Sequence, residues 1–130
     1  MTLVRIDVIE GRRSPVQLEI LADTVHSTIV EVFGAAVTER YQIITEHRPG
    51  RIITFDSGLG EGRSDDVVIV QIVQSGRSRS QKRALYCALA DRLYDRLALR
   101  EDDLIVTIVE NTHADWSFTD ELACDPDGNL

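Results

Sequence analysis

Basic residues are scarce in this 130-residue chain: 14 Lys and Arg stand against 22 Asp and Glu, which gives a formal net charge of −8. A nucleic-acid partner favours a basic protein face, so nucleic-acid binding is not expected. Long apolar runs are also missing, since none approaches the roughly 20 residues that cross a bilayer. No signal peptide precedes the first predicted strand. We therefore expect a cytoplasmic protein that does not associate with membranes.

Cysteine and histidine are too few and too scattered to suggest a metal or redox site. Cys87 and Cys124 lack the spacing of either kind of site, and we expect two reduced thiols. The histidines, His26, His47 and His113, do not group into a ligand set. The sequence thus predicts no metal and no cofactor.

An internal repeat organises the chain. An alternating apolar run, a Gly-Arg corner and a helix that opens with Ser-x-x-Gln occur twice, and Gly11-Arg12 recurs as Gly76-Arg77 half the chain away. The first copy has one extra residue, Arg13, after its corner. Serine can cap each helix while the glutamine bonds back to the cap. The capping pairs are Ser14 with Gln17 and Ser78 with Gln81. Two copies of one supersecondary unit are indicated.

Hydrophobic periodicity assigns strands and helices within each copy. The predicted strands are residues 2–9, 41–47, 67–74 and 104–110, and the predicted helices are residues 14–34 and 78–99. Between the copies, residues 51–55 predict a short edge strand. Residues 56–66, rich in Gly, Ser and Asp, predict a loop.

These elements predict an α+β fold of two tandem β-α-β units. Right-handed crossovers place both helices on one face of a four-stranded sheet. If the units pair about a pseudo-two-fold axis, their first strands run antiparallel and Thr2 lies near residues 75–77. The other sheet face carries Val, Ile and Leu without a helix to cover it, so we expect a symmetric oligomer. We assign one domain to residues 1–130, with repeats at about 2–55 and 66–118 and a mobile acidic tail at 119–130.

The order of these motifs resembles the tautomerase superfamily (4-oxalocrotonate tautomerase-like), and within it the malonate semialdehyde decarboxylase subgroup. The matching stretches are IDVIEGR (6–12), RYQIITEHRPG (40–50), SGLGEGRS (57–64), GRSRSQK (76–82) and ENTHADWSF (110–118). The resemblance implies a homotrimer whose sheets face inward. It also implies a catalytic amino-terminal proline, exposed by removal of the initiator methionine, that acts as acid, base or nucleophile. An aspartate and two arginines would accompany it, the arginines holding the substrate's carboxylate and carbonyl.

Carried onto this chain, the resemblance implies three catalytic positions. Thr2 stands where the family has its proline, Glu39 stands where it has its aspartate, and Arg77 matches the second arginine. A processed chain would offer the primary amine of Thr2 as a base, whereas a chain that keeps Met1 displaces the amine by one residue. Glu39 can orient a water or share a proton with the amine, or it can be a solvated loop charge.

The resemblance also implies a set of substrate-binding positions. The first arginine falls on Ser75, and Arg79 lies close enough to take its place, while Trp116 and Phe118 keep part of an aromatic wall. Arg77 suits a bidentate grip on a small carboxylate. The alternative is a solvated arginine at a helix N-terminus, a place that disfavours cations.

Two functions remain open. The first is an enzyme that acts on a small oxo- or enol-carboxylic acid by proline-independent proton transfer, hydration or decarboxylation. The second is a non-catalytic trimeric relative that binds small carboxylates or a partner without turnover. Loss of the proline and of one arginine favours the second, whereas Arg77, the acid at Glu39 and the aromatic pair favour the first, which we prefer. Arg12, the repeat counterpart of Arg77, has no chain terminus opposite it and is expected to be structural.

Overall fold

A computed structural model describes residues 1–55 and 62–118. Its strands are β1 (Thr2–Ile9), β2 (Tyr41–His47), β3 (Val68–Ser75) and β4 (Leu104–Asn111), and its helices are α1 (Pro15–Phe33) and α2 (Arg79–Leu97). Two 3-10 turns, Glu101–Asp103 and His113–Asp115, lie before and after β4. The β-α-β order therefore occurs twice, as the repeat predicts. None of the helices in the described ranges combines the length and the apolar character needed to cross a membrane.

The four strands form one mixed sheet in the order β2-β1-β3-β4. Within each repeat the two strands are parallel, and β1 pairs with β3 in the antiparallel sense. Thr2 lies opposite Gln74 in that central pair. The α+β fold class is confirmed, and so is the antiparallel arrangement of the first strands.

Alternation along the central strands places the core on one side of the sheet. Every second residue of β1 and β3 is buried against the helices. These residues are Val4, Ile6, Val8, Val68, Val70 and Ile72, and they pack with Leu21, Val25, Ile29, Leu85, Leu89 and Leu93. Both helices thus cover the same face, in agreement with the prediction.

The other sheet face has no helix over it in the described chain. Residues 3, 5 and 7 of β1 point to that face, and the register gives it Tyr41 and Ile43 from β2. Ile43 is 41% exposed and Val109, on β4, is 44% exposed. His47 Nε2 lies 2.6 Å from Asp7 Oδ1 on the same face. The face therefore mixes apolar side chains with polar ones, which include Arg5 and the pair of Asp7 and His47.

Both predicted capping boxes are present. In each, the serine hydroxyl accepts a hydrogen bond from the glutamine N–H, and the glutamine side chain accepts one from the serine N–H. Pro15 occupies the first position of α1, where a missing N–H costs nothing. The helices end at left-handed residues, Gly34 at φ 67° and Ala98 at φ 54°. Gly34 adopts this conformation freely, whereas Ala98 carries a Cβ penalty.

The short edge strand predicted at residues 51–55 is wrong. The segment leaves a turn in which the Arg51 N–H donates to the Arg48 carbonyl at 3.0 Å, and it pairs with no strand of the described sheet. Two of its apolar side chains consequently stay in solvent, with Ile53 74% and Phe55 93% exposed. The β3 strand begins and ends one residue later than predicted, and α2 ends at Leu97. Part of the predicted loop (56–61) and the predicted tail (119–130) lie outside the described residues.

Candidate functional site

One end of the sheet gathers most of the predicted site residues. β1 and β2 begin there, at Thr2 and Tyr41, and β3 and β4 end there, at Ser75 and Asn111. Because the helices run antiparallel to their strands, α1 ends and α2 begins at the same end of the subunit. The amino terminus of the chain therefore lies among strand ends and beside the start of a helix.

Thr2 and Glu39 line one small cavity. Thr2 is half-buried and Glu39 is exposed on the connection between α1 and β2, and the cavity that both residues line measures about 10 Å³. A volume of this size accommodates about one water molecule. A substrate does not fit there, so any ligand that meets both residues must approach from the solvent side.

Arg77 lies against the end of α1, where its guanidinium carbon is 5.2 Å from the centroid of the Phe33 ring. Its Nη1 donates to the carbonyls of Gly76 (2.9 Å) and Ser75 (3.2 Å). Its Nε is buried and has no hydrogen-bond partner in the described chain. The cation–π contact and the carboxyl end of α1 offset the unfavourable position of this cation before α2. The Nε donor of Arg77 nevertheless has no acceptor in the described chain.

Gln74 is the most unusual polar residue at this end. It is 1% exposed, and neither its side-chain oxygen nor its nitrogen has a hydrogen-bond partner within residues 1–55 and 62–118. Burial of an amide without partners costs about 1–3 kcal/mol in proteins. Gln74 lies opposite Thr2 in the sheet register, and Arg77 follows it three residues later in the chain. Gln74 was not among the predicted site residues, although a polar residue at a core position of an alternating strand is a detectable signal.

Aromatic rings form a row from the segment after β4 to the start of β2. Trp116 stacks on Phe118 with ring centroids 5.7 Å apart and an interplanar angle of 4°. Phe118 in turn lies 5.6 Å from Tyr41, which lines the same cavity as Thr2 and Glu39. The row therefore crosses from one edge of the sheet to the other at the end that carries the amino terminus. Tyr41 was not predicted as a member of this wall.

A short turn fixes the orientation of Trp116. Asp115 accepts hydrogen bonds from the Thr112 N–H (2.7 Å) and hydroxyl (3.0 Å), and these bonds lower the pKa of Asp115. The indole N–H of Trp116 donates to Asn111 Oδ1 at 3.1 Å. The indole N–H therefore has its hydrogen-bond partner, and the face of the ring stacks on Phe118 in the aromatic row.

The two remaining predicted residues lie beside Arg77. Ser75 is half-buried at the end of β3, and its carbonyl accepts a hydrogen bond from Arg77. Arg79 is exposed at the first position of α2. No hydrogen bond or ion pair joins Arg79 to the other candidate residues in the described part of the chain. Within the described ranges, no group of three or more His, Cys, Asp or Glu side chains is placed to hold a metal ion.

Comparisons with known proteins agree with this arrangement. A family model described as tautomerase enzyme matches residues 39–119, and another with the same description matches residues 3–62. Probable tautomerase YrdN of Bacillus subtilis (strain 168) is 41% identical over 118 residues, which cover 91% of both chains.

Two solved structures are similar throughout. A crystal structure of malonate semialdehyde decarboxylase has a TM-score of 0.85 at 39% identity and covers 92% of each chain. A malonate semialdehyde decarboxylase inhibited by 3-bromopropiolate has a TM-score of 0.85 at 36% identity, covering 98% of this chain and 97% of its own. Because the tautomerase family model matches more than half of the chain and these relatives are similar over most of its length, the chain belongs to the tautomerase superfamily, with a structure similar to that of malonate semialdehyde decarboxylase.

Proposed function

We propose that this protein is an enzyme that acts on a small carboxylic acid bearing an oxo or enol group, by proton transfer, hydration or decarboxylation. The observation that carries the proposal is a set of polar groups without hydrogen-bond partners at the sheet end where the amino terminus lies. There, the buried Arg77 Nε and the Gln74 amide have no hydrogen-bond partners in the described chain. Unpaired buried polar groups are costly and are typical of sites that a ligand completes.

Arg77 is the proposed carboxylate anchor. Its Nη1 already donates to two backbone carbonyls. The Nε and Nη2 groups therefore supply the pair of donors that matches the two oxygens of a carboxylate. Contact with Phe33 holds the guanidinium in place without neutralising its charge. Gln74 is proposed to meet the oxo or enol oxygen, since an amide can donate to one tautomer and accept from the other. Ser75 and Arg79 complete this side of the proposed site.

Proton transfer is assigned to Thr2 and Glu39. If Met1 is removed, the primary amine of Thr2 stands at the sheet end as a general base or acid. The water-sized cavity that both residues line suits a water molecule, which Glu39 deprotonates as the water oxygen adds to the substrate. Trp116 and Phe118 are proposed to shield this chemistry from solvent. Loss of the amino-terminal proline argues against the nucleophilic chemistry of a secondary amine.

We also propose a homotrimer in which the open sheet faces turn inward. The apolar side chains on that face, Ile43 and Val109 among them, are about 40% exposed in one subunit. A symmetric assembly would remove them from water.

The test uses Trp116, the single tryptophan of the chain, as a reporter inside the proposed site. Pyruvate should quench or shift its fluorescence saturably, and Arg77→Ala should weaken binding by about 10- to 100-fold, the equivalent of a charge-assisted hydrogen bond. Arg77→Lys should recover only part of this loss, because an ammonium lacks the planar fork. Arg12→Ala is the matched control from the other repeat and should leave the fluorescence titration unchanged.

Turnover is tested separately. Ultraviolet absorbance follows decay of the enol form of a 2-oxo acid, and mass spectrometry follows covalent labelling by 3-bromopropiolate, an inhibitor of the related decarboxylase. Thr2→Pro combined with Ser75→Arg should raise turnover by restoring both missing family positions. Equal loss of binding in the Arg12 and Arg77 variants would refute the anchor. Saturable binding with no turnover in either the natural or the restored protein would instead identify a non-catalytic relative.

A further inference from the structure

The opposite end of the subunit repeats the architecture of the candidate site. There α1 begins beside the end of α2, as α2 begins beside the end of α1 at the candidate site. The pseudo-two-fold axis that relates β1 to β3 exchanges these two ends, and it places the corner of Arg12 in the position of Arg77. A cavity of about 290 Å³ lies at this opposite corner, and we call it the Arg13 cavity. Its volume is near the lower limit of small-molecule pockets, so it suits a small ligand.

Three guanidinium groups and two carboxylates line the Arg13 cavity: Arg12, Arg13, Arg100, Asp66 and Asp103. Arg12 Nε donates to Asp66 Oδ1 at 2.8 Å, and Arg100 Nε donates to Asp103 Oδ2 at 3.2 Å. These two ion pairs account for both carboxylates. Arg13 is the third cation, and no carboxylate of the described chain forms an ion pair with it.

Asp103 is further committed by Ser64. The Ser64 N–H donates to Oδ1 at 2.6 Å, and the Ser64 hydroxyl donates to Oδ2 at 2.8 Å. Asp103 is 1% exposed, so its carboxylate cannot turn toward the cavity without leaving these bonds. The ion pair of Arg12 with Asp66 agrees with the structural role expected for Arg12. Because Arg12 is paired in this way, the repeat counterpart of Arg77 is not the residue with an unpaired buried N–H at this end of the subunit.

The residue with an unpaired buried N–H at this end is Arg13. Its Nη2 donates to the Asp66 carbonyl at 2.6 Å, while its Nη1 is buried without a hydrogen-bond partner in the described chain. Burial lowers the pKa of Arg13, although the nearby charges of Asp66 and Asp103 act in the opposite direction. A buried N–H group without an acceptor is costly, and an anion that accepts from Nη1 would remove that cost.

We propose that the Arg13 cavity is a second ligand site that binds a small oxyanion, a carboxylate or a phosphate, through Arg13. The bound oxygen accepts from Nη1. The three guanidiniums of the lining outnumber its two carboxylates by one, so the cavity keeps a net positive charge that favours an anion. The residue responsible is the extra residue that the first copy of the repeat carries after its Gly-Arg corner. The site is separate from the candidate active site and does not depend on its chemistry.

The test is a titration of the full chain followed by ¹H–¹⁵N NMR at constant ionic strength. One arm uses inorganic phosphate and the other uses acetate, so the arms distinguish the two classes of oxyanion. At least one anion should shift the backbone resonances of residues 12–17 and 97–103 saturably. Arg13→Gln should raise the dissociation constant by about tenfold or more, the usual effect of losing a hydrogen bond to a charged group. Arg83→Gln, at an exposed arginine on α2, is the charge-matched control and should change the constant less than about twofold.

Several results would overturn the proposal. A cavity filled only by water gives no saturable shift with either anion. Equal affinity in the Arg13→Gln and natural proteins would mean that Arg13 is not the anchor. Loss of these shifts in Arg77→Gln would place the binding at the other end of the subunit. If Arg13→Gln does not fold, Arg13→Lys keeps the charge without the fork, and unchanged affinity in that variant also rejects the proposal.

Discussion

Replacement of Gln74 by methionine should stabilise the protein. Methionine keeps the length and unbranched shape of the side chain but removes both polar atoms. In the unfolded chain the amide is hydrated, whereas in the fold it is 1% exposed with no partner for its oxygen or nitrogen in the described chain. The desolvation cost of such an amide is about 1–3 kcal/mol, so Gln74→Met should raise the free energy of unfolding by about that amount.

Gln42 provides a matched control on the same face of the sheet. Its side-chain nitrogen donates to the Ala22 carbonyl at 2.8 Å. Gln42→Met removes this hydrogen bond and the one that Gln42 Oε1 accepts from Arg40 Nε at 2.7 Å. It should therefore destabilise the protein by about 0.5–1.5 kcal/mol. The same chemical change should therefore have opposite signs at the two positions.

Urea denaturation at one fixed protein concentration measures both variants, since assembly would make stability depend on concentration. With a slope of about 2 kcal/mol per M, a gain of about 2 kcal/mol moves the midpoint of Gln74→Met up by about 1 M at an unchanged slope. The same variant should bind pyruvate less well in the Trp116 fluorescence titration. A loss of stability in Gln74→Met similar to that in Gln42→Met would mean that the folded protein satisfies the amide. Gln74 would then have no free hydrogen-bonding group to offer a ligand, and its proposed role in substrate binding would be refuted.

Two further predictions concern acid stability and assembly. Burial raises the pKa of Asp103, but hydrogen bonds from Ser64 and Arg100 outweigh burial and lower it below its ordinary value of 3.8. A depressed folded-state pKa contributes stability above the unfolded value, and that stability is lost as the pH falls through the folded value. Asp103→Asn should therefore lose stability at pH 6 and show a shallower decline below about pH 4 in urea melts, whereas parallel pH profiles would contradict the assignment. Sedimentation equilibrium should give three times the 14.6 kDa subunit mass, and a stable monomer at micromolar concentration would refute the proposed trimer.

Local sequence patterns were sufficient for most of the fold. Strand and helix periodicity depends on which side of each element faces the core, and the Ser-x-x-Gln capping boxes close within four residues. The half-length repeat suggested two units that, if paired about a pseudo-two-fold axis, bring Thr2 near residues 75–77, and the register opposite Gln74 agrees with this. The predicted strand at 51–55 failed because apolar residues form a strand only where a neighbouring strand offers hydrogen bonds.

Only the tertiary structure decided which polar groups have hydrogen-bond or ion-pair partners. Arg12 and Arg77 occupy equivalent places in the two repeats, yet Arg12 pairs with Asp66 whereas Arg77 lies on Phe33. Arg13, a single inserted residue in the sequence, proves to be a buried donor with an unmade hydrogen bond in the described chain. These partners lie tens of residues away along the chain. A local pattern carries no record of them, because hydrogen bonds and ion pairs depend on distances that only the packed chain sets.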